Sequence, residues 1–210
     1  MDQTFFVLEI IGIIAFAISG AMKAVDKHSD IFGVILLGVV AALGGGVIRD
    51  VLLGNTPPMM FVNYEYLLVA VATSIGVFTF VYINNRQYYS KVALIEQVNN
   101  IFDAIGLGVF TISGMNTAIS CGYVDNAFFV IFLGMTTGIG GGMLRDVLVK
   151  EMPFVLTRRI YAVASLIGGS CYYVLHTMGY HYSAIFIGIG MIFIIRLLAT
   201  IFRWNLPRIR

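Results

Sequence analysis

Two segments of the chain, LGGGVIRDVL at residues 43–52 and IGGGMLRDVL at residues 139–148, share seven of ten residues at an offset of 96. Each places three glycines, which weaken a helix by roughly 1 kcal/mol apiece, shortly before an arginine and an aspartate. The sequence around both segments is strongly apolar, since 59% of the 210 residues are hydrophobic and only 11% are charged. A motif with charged residues that occurs twice in such an apolar sequence indicates an internal duplication.

The composition predicts an all-α integral membrane protein with a single transmembrane domain over residues 1–210 and no soluble domain. Each span takes ~20 residues, which leaves room for roughly seven. The first apolar stretch contains Glu9 and has no basic segment before it, so it is read as a retained helix rather than a signal peptide. Hydropathy and turn signals place the spans near 5–22, 31–53, 64–83, 97–119, 127–149, 160–177 and 183–202.

The basic residues that lie outside the predicted spans all fall on one side of them. The connections on the other side contain no lysine or arginine. By the positive-inside rule the amino terminus faces outward and the carboxyl terminus is cytoplasmic. The ten residues on the inner side are Lys23, Lys27, Arg86, Lys91, Lys150, Arg158, Arg159, Arg203, Arg208 and Arg210.

The duplication extends over two three-helix units, at about 5–83 and about 97–177, and leaves the span at 183–202 without a counterpart. Because three is an odd number, the second unit enters the bilayer from the opposite face, and the repeats are inverted. The further aligned pairs are Pro57 with Pro153 at an offset of 96, and Glu9 with Asp103 and Ser19–Gly20 with Ser113–Gly114 at an offset of 94.

Charged residues inside the predicted spans are expected to pair, because an unpaired charge at membrane depth costs at least ~2.5–3.5 kcal/mol. Each acidic residue of the aligned pair lies at about the depth of the arginine of its own unit. We therefore predict one pair between Glu9 and Arg49 and a second between Asp103 and Arg145. Arg196 lies near the inner end of the last span. It either extends to the cytoplasm or has a role in the pore or in contacts with lipid headgroups.

The glycine runs lie near the middle of the bilayer and predict a break in the second and fifth spans. One reading is functional: unwound backbone that lines a wet cavity offers carbonyls and helix ends to an ion or a zwitterion. The other is structural, since glycines also let helices approach closely. The candidate pore or gating residues are Gly44, Gly45, Gly46, Arg49, Asp50, Gly140, Gly141, Gly142, Arg145 and Asp146, with Glu9, Asp103 and Arg196 as supporting charges.

The remaining polar residues predict no catalytic or metal centre. His28, His176 and His181 fall at loops or interfaces with nothing nearby to complete a metal site. Tyrosines near the predicted helix ends, Tyr66 and Tyr161 among them, are typical of an aromatic belt. No nucleophile triad, dinucleotide motif or nucleic-acid-binding pattern is present, so neither an enzyme nor a cofactor is expected.

With seven helices, a three-plus-three-plus-one layout and GGGxxRD in the second and fifth spans, the chain resembles the prokaryotic trimeric intracellular cation (TRIC) channels. It is equally similar to a family of bacterial inner-membrane proteins linked to glycine uptake. The resemblance implies a homotrimer in the inner membrane with one pore per protomer, kinked at Gly44–Gly46 and Gly140–Gly142. It implies monovalent cations, chiefly K⁺ with some Na⁺, and membrane lipids as partners, and a role in the pore for Arg49 and Arg145.

Three function classes follow from these observations. In a channel, the glycine breaks form a hydrated constriction whose barrier the arginines shape. In a carrier, the same breaks bind a small zwitterion such as glycine and the repeats rock to give alternating access. In the third class the protein packs or contacts lipid without transport. The resemblance favours the channel, and the inverted repeats favour the carrier.

Overall fold

The computed structural model describes residues 3–157, 160–202 and 204, and within these ranges the chain is helical with no strand. A π-helical turn at Ile119–Tyr123 continues the sixth helix. The helices are α1 (Gln3–Asp26), α2 (Ile31–Leu53), α3 (Met59–Val62), α4 (Tyr64–Ile83), α5 (Asn85–Ser90), α6 (Val92–Ala118), α7 (Ala127–Leu148), α8 (Phe154–Thr157), α9 (Ala162–Thr177) and α10 (His181–Ile201).

Seven long helices fall where the seven apolar stretches predict them, namely α1, α2, α4, α6, α7, α9 and α10. Six of these helices, all except α9, are long and apolar enough to cross a membrane. With 16 residues, α9 is shorter than a full span requires, so the seventh crossing stays a prediction. Two helices extend well beyond the predicted bounds: α1 runs on to Asp26 and α6 begins at Val92. Helical hydrogen bonding continues there past the apolar residues, and hydropathy detects only the apolar part.

Capping residues fix where α2 and α7, the two helices that carry the GGGxxRD motif, begin, and where α2 ends. The side chain of Asp30 accepts a hydrogen bond from Gly33 N at 2.8 Å, and that of Asn126 accepts one from Phe129 N at 3.0 Å. These side chains satisfy backbone donors that the first turn of a helix leaves free. At its other end α2 stops at Gly54, whose φ of +72° is the left-handed conformation that glycine adopts without strain.

The bundle consists of two groups of helices joined at the centre. In the first group α1, α2 and α4 pack together, in the second α6, α7 and α9, and α10 packs on α9 and α6. The groups meet where α1 contacts α6 and α2 contacts α7. At the first of these contacts the rings of Phe16 and Phe110 stack with centroids 5.5 Å apart, and both are buried.

The two ends of the bundle differ in charge. The end where α1 begins is called here the α1-start end, and the other, where α1 ends, the basic end. The basic end carries Lys23, Lys27, Arg86, Lys91 and Lys150. The other predicted inner residues, Arg158, Arg159, Arg203, Arg208 and Arg210, lie outside the described residues. Which end faces the cytoplasm stays a prediction.

The glycine runs do not break their helices, which corrects the expectation from the sequence. Residues 44–46 and 140–142 are α-helical, and α2 and α7 run through them without interruption. The glycines instead let the two helices touch: a Cβ on Gly45 would clash with the carbonyl oxygen of Thr137, and a Cβ on Gly141 with that of Ala41. The helices remain intact because packing against each other offsets the low helix propensity of glycine.

Candidate functional site

The first charge cluster lies toward the α1-start end and consists of Glu9, Arg49, Asp50, Tyr66 and Ser113. Arg49 Nε donates to Asp50 Oδ1 at 2.8 Å, and Arg49 Nη1 lies 4.0 Å from Glu9 Oε1. Two hydroxyls hold the Glu9 carboxylate: Tyr66 donates to Oε2 at 2.8 Å, and Ser113 donates to Oε1 at 2.5 Å. Helices α1, α2, α4 and α6 therefore each contribute to one site.

The second charge cluster lies toward the basic end and consists of Ser19, Asp103, Arg145, Asp146, Tyr161 and Arg196. The Arg145 guanidinium is fully buried at 0% exposure. It donates from Nε to Asp146 Oδ1 at 2.9 Å and from Nη1 to both Asp103 Oδ1 at 2.9 Å and Ser19 Oγ at 2.5 Å. Three charge-assisted hydrogen bonds stabilise a cation that burial alone would strongly disfavour.

In both clusters the aspartate of the motif also binds the connection that follows its helix. Asp50 Oδ2 accepts a hydrogen bond from Met59 N at 2.8 Å, and Asp146 Oδ2 accepts one from Phe154 N at 2.9 Å. One carboxylate oxygen of each aspartate thus accepts a hydrogen bond from the arginine. The other accepts one from the first residue of a short helix, α3 or α8. The Phe154 ring also covers the Arg145 guanidinium, with the ring centroid 5.0 Å from Cζ.

Apart from Arg196, the residues of the two clusters correspond at the offsets of the sequence repeat or within one residue of them. Tyr66 and Tyr161 are 95 residues apart, and Ser19 and Ser113 are 94 residues apart. The two serines are exchanged between the units, because each binds a charged residue of the other one. Ser19 of the first unit accepts a hydrogen bond from Arg145, whereas Ser113 of the second unit donates one to Glu9. Each site is therefore complete only when both units are packed together.

Arg196 has no counterpart in the first cluster, and its position corrects one expectation from the sequence. It does not extend to the cytoplasm, because it is 3% exposed. Its Nη2 lies 3.6 Å from Asp103 Oδ2, and its Cζ lies 4.6 Å from the centre of the Tyr161 ring. The buried carboxylate and the aromatic face attract the guanidinium inward.

The second cluster keeps several buried polar atoms without a hydrogen-bond partner. In the described part of the chain they are Asp103 Oδ2, Arg145 Nη2, Tyr161 Oη and Arg196 Nε and Nη2. Two of them lie near Gly142, where a Cβ would be 3.3 Å from Tyr161 Oη and 3.7 Å from Arg145 Nη2. Unsatisfied donors in such a place need a water, an ion or a substrate group.

Cavities approach the clusters from both ends of the bundle, and one of about 420 Å³ is lined by Arg196 of the second cluster. A cavity of about 620 Å³ opens at the α1-start end and reaches Glu9 and Arg49. A cavity of about 220 Å³ at the basic end reaches Phe154, whose ring covers Arg145. The contact between α2 and α7 at Gly45 and Gly141 lies between Arg49 and Arg145 along the two helices.

The three glycines of each motif have separate roles, and the contacts are reciprocal. The first of each run faces a side chain of the other helix: Gly44 faces Leu144, and Gly140 faces Ile48. The second forms the close backbone contact described above. The third, Gly46 or Gly142, lies beside the arginine of its own helix, with Nη2 at 3.8 Å or 3.7 Å from the Cβ position.

Sequence reasoning placed the charged residues of both clusters but missed their hydroxyl partners. Tyr66 and Tyr161 were expected in an aromatic belt, yet both are buried against charged groups. Ser19 and Ser113 were aligned in the repeat without a role. The signal that identifies all four is the repeat itself, because hydroxyl residues that recur within one residue of the offsets of the charges are candidates for the same site.

At the basic end a separate ion-pair group joins α1 to the connection after α7. Lys23 Nζ and Lys27 Nζ lie 2.5 Å and 2.6 Å from the two carboxylate oxygens of Glu151. Burial opposes ionisation of Glu151, but the hydrogen bonds from the two lysines outweigh it and lower the pKa of Glu151 below its usual value. The group lines the 220 Å³ cavity.

Six apolar spans and two buried charge clusters define an integral membrane protein, and its fold is that of the TRIC channels. A prokaryotic TRIC channel crystallised in 0.5 M KCl matches 98% of this chain and all of its own, with a TM-score of 0.86 and 40% identity. The TRIC orthologue from Rhodobacter sphaeroides matches 97% of this chain and all of its own, with a TM-score of 0.86 and 30% identity.

By sequence, the chain belongs to the family described as Glycine transporter, whose model matches residues 6–82 and 100–177. The UPF0126 inner membrane protein YadS of Escherichia coli K12 is 37% identical over 205 residues, which cover 95% of this chain and 92% of that protein. A UPF0126 membrane protein of Vibrio cholerae is 38% identical over 202 residues, or 96% of this chain and 80% of that protein. Both resemblances inferred from the sequence are thereby confirmed.

Proposed function

We propose that the protein is a monovalent cation channel that conducts K⁺ and, to a lesser extent, Na⁺. The observation that carries this proposal is the first charge cluster at the inner limit of the 620 Å³ cavity. Two carboxylates, Glu9 and Asp50, face one guanidinium, Arg49, so the cluster has one formal negative charge in excess. The solved structures with the same fold are described as cation channels, which supports the same function here.

The electrostatics of this cluster favour a cation over an anion. Tyr66 and Ser113 fix the Glu9 carboxylate at the cavity, where its side chain is 14% exposed. A fixed carboxylate in a cavity with low-dielectric walls attracts cations, because the walls concentrate its field. Arg49 lines the same cavity, but its charge is balanced by Asp50, to which it donates a hydrogen bond, and by Glu9, so a positive residue beside the path is compatible with cation flow.

The contact between α2 and α7 is the proposed gate. It lies between Arg49 and Arg145 along the two helices, where Gly45 and Gly141 bring the helices together. Conduction requires the helices to bend or separate there, and three consecutive glycines lower the free energy needed to bend each helix. Arg145 lies one turn beyond the contact, and moving its charge along the membrane normal would make opening sensitive to voltage.

The proposed architecture is a homotrimer in a prokaryotic inner membrane, with one pore in each protomer and the amino terminus outside. Each protomer is one transmembrane domain of two inverted repeats plus α10. The reciprocal contacts of the two glycine runs and the exchanged serines support the repeats. The matched family ranges also begin 94 residues apart, at 6 and 100. The trimer is supported by the name of the TRIC family alone.

A second candidate function is transport of a small zwitterion such as glycine, and the second charge cluster favours it. The unsatisfied donors of Arg145, Tyr161 and Arg196 are suited to a carboxylate, and Asp103 Oδ2 is suited to an ammonium group. The description of the matching family model points the same way.

Reconstitution into proteoliposomes tests both functions in one preparation. A channel gives fast K⁺ efflux under an imposed potential without saturable uptake of radiolabelled glycine, and a carrier gives the reverse.

We expect Glu9→Gln to reduce K⁺ efflux severalfold, because it removes the excess negative charge. Glu65→Gln is the matched control, since Glu65 lies on the exposed side of the first turn of α4. Equal efflux for both variants would refute the role given to Glu9.

A further inference from the structure

Two histidines meet at the mouth of the 620 Å³ cavity, outside both charge clusters. His176 is in the last turn of α9 and His181 is the first residue of α10, and both line the cavity. Their Nδ1 atoms lie 3.4 Å apart, and their ring centroids are separated by 4.4 Å. The channel function proposed above uses neither residue.

The separation of the two nitrogens is that of a metal-chelating pair. Imidazole nitrogens bound to Zn²⁺ lie about 2.0–2.1 Å from a tetrahedral ion, which sets them roughly 3.3–3.4 Å apart. The observed 3.4 Å matches this separation, and a rotation of the two rings, whose centroids are 4.4 Å apart, directs both lone pairs at one ion. When each ring carries its proton on Nε2, both Nδ1 lone pairs are free to bind one ion.

We propose that His176 and His181 bind a first-row transition-metal ion, with Zn²⁺ as the best fit, at the mouth of this cavity. Water from the cavity completes the tetrahedral coordination, since two imidazoles supply two of four positions. The cavity is open on this side, so an ion has a path of entry, and the histidines are partly or fully exposed. The ion would link the end of α9 to the start of α10.

The competing arrangement is a direct hydrogen bond between the two rings, in which one Nδ1 carries a proton and the other accepts it. A metal ion and this hydrogen bond use the same two atoms and exclude each other. Substitution of either histidine removes both arrangements, but only the metal site produces binding of added Zn²⁺.

Calorimetric titration of tag-free protein in detergent with ZnCl₂ tests the proposal without any transport measurement. Failure of the channel proposal would leave its result unchanged. We expect one Zn²⁺ per protomer for the starting protein and a Kd weakened about tenfold or more in His176→Ala and in His181→Ala, because each loses one of two protein ligands. His28→Ala is the matched control and keeps the site, because His28 lies at the basic end beside Tyr89.

Two additions separate metal binding from a structural role of the histidines. All titrations use a Cys121→Ser background, because Cys121 is exposed at the same end of the bundle and its thiolate also binds Zn²⁺. In that background His181→Cys is expected to restore the binding that His181→Ala loses, since cysteine ligates Zn²⁺ but cannot replace a histidine hydrogen bond. Absence of a Zn²⁺ site in the starting protein, or equal Kd values in the two alanine variants and the control, would overturn the proposal.

Discussion

At the residue scale, the two charge clusters have related chemistry but different solvation. Arg145 has no exposed surface, whereas the first cluster borders an open cavity and the Glu9 side chain is 14% exposed. The distances agree with this difference: Arg145 Nη1 lies 2.9 Å from Asp103, and Arg49 Nη1 lies 4.0 Å from Glu9. We therefore expect Asp103 and Arg145 to contribute more to stability, and Glu9 to be the acidic residue that ions reach from the cavity.

This difference predicts unequal effects of neutralising the two acidic residues. Asp103→Asn leaves Arg145 and Arg196 with too little negative charge in a buried site, and we expect it to lower the unfolding free energy by ~3–5 kcal/mol. Glu9→Gln keeps an acceptor for one of the two hydroxyls, and the other hydroxyl can rotate to accept from the new amide N–H beside the cavity, so we expect a loss of about 1 kcal/mol. Unfolding of the two variants in mixed micelles measures both values. Equal losses would contradict the assignment of a structural role to the second cluster.

A second prediction at this scale concerns pH. The lysines lower the pKa of Glu151, so its ion pairs stabilise the fold above the unfolded-state pKa near 4.5, and this stabilisation is lost as the pH falls through the lower folded-state value. Because the group is partly exposed, we expect a contribution of at most about 1 kcal/mol. Thermal unfolding measured between pH 3 and pH 7 should show a smaller dependence on pH for Glu151→Gln than for the starting protein. An identical dependence would show that the pair contributes nothing.

The sequence predicted part of each site at this scale and could not predict the rest. The repeat and the cost of an unpaired charge were enough to match Glu9 with Arg49 and Asp103 with Arg145. They could not place Arg196, because α10 has no counterpart in the repeat and its rotation about its axis depends on packing against α6 and α9. The hydroxyl partners were missed because a tyrosine near a helix end looks the same in sequence whether it faces lipid or a charge.

At the scale of the element, the glycines of α2 and α7 act through contact between helices. Low helix propensity predicted a break, but propensity is a local quantity and the contact between α2 and α7 is tertiary. Helix bounds were predicted well wherever a cap or an apolar limit marks them, as at Asp30 and Gly54 of α2. The short helices α3, α5 and α8 were not predicted, because their sequences carry no periodic apolar pattern long enough to be recognised.

This contact gives a prediction for glycine substitutions. Gly45→Ala and Gly141→Ala each place a methyl group against a carbonyl oxygen of the facing helix, and we expect each to lower the unfolding free energy by about 1–3 kcal/mol. Gly190→Ala in α10 is the control, because no atom lies within 4 Å of its Cβ position. It should be neutral or stabilise the helix by up to about 1 kcal/mol. Similar effects at all three positions would mean that helix propensity, and not the contact, governs the outcome.

At the scale of the whole molecule, hydropathy alone was enough to predict an all-helical membrane protein, because a bilayer leaves few ways to satisfy backbone hydrogen bonds. The relatives and the solved structures agree with this class and supply the fold. Function is less accessible from sequence, since a channel and a carrier use the same inverted repeats and the same buried charges. The structure distinguishes the clusters by their access to water, and this supports conduction past the first cluster.

The measurement that tests this claim most directly is recording of unitary K⁺ currents from the purified protein in planar bilayers. We predict discrete openings whose reversal potential follows the K⁺ gradient and whose unitary conductance falls in Glu9→Gln but not in Glu65→Gln. The contrary result is the absence of current steps at any voltage from a preparation that accumulates glycine saturably in liposomes. That result would assign the two charge clusters to a carrier.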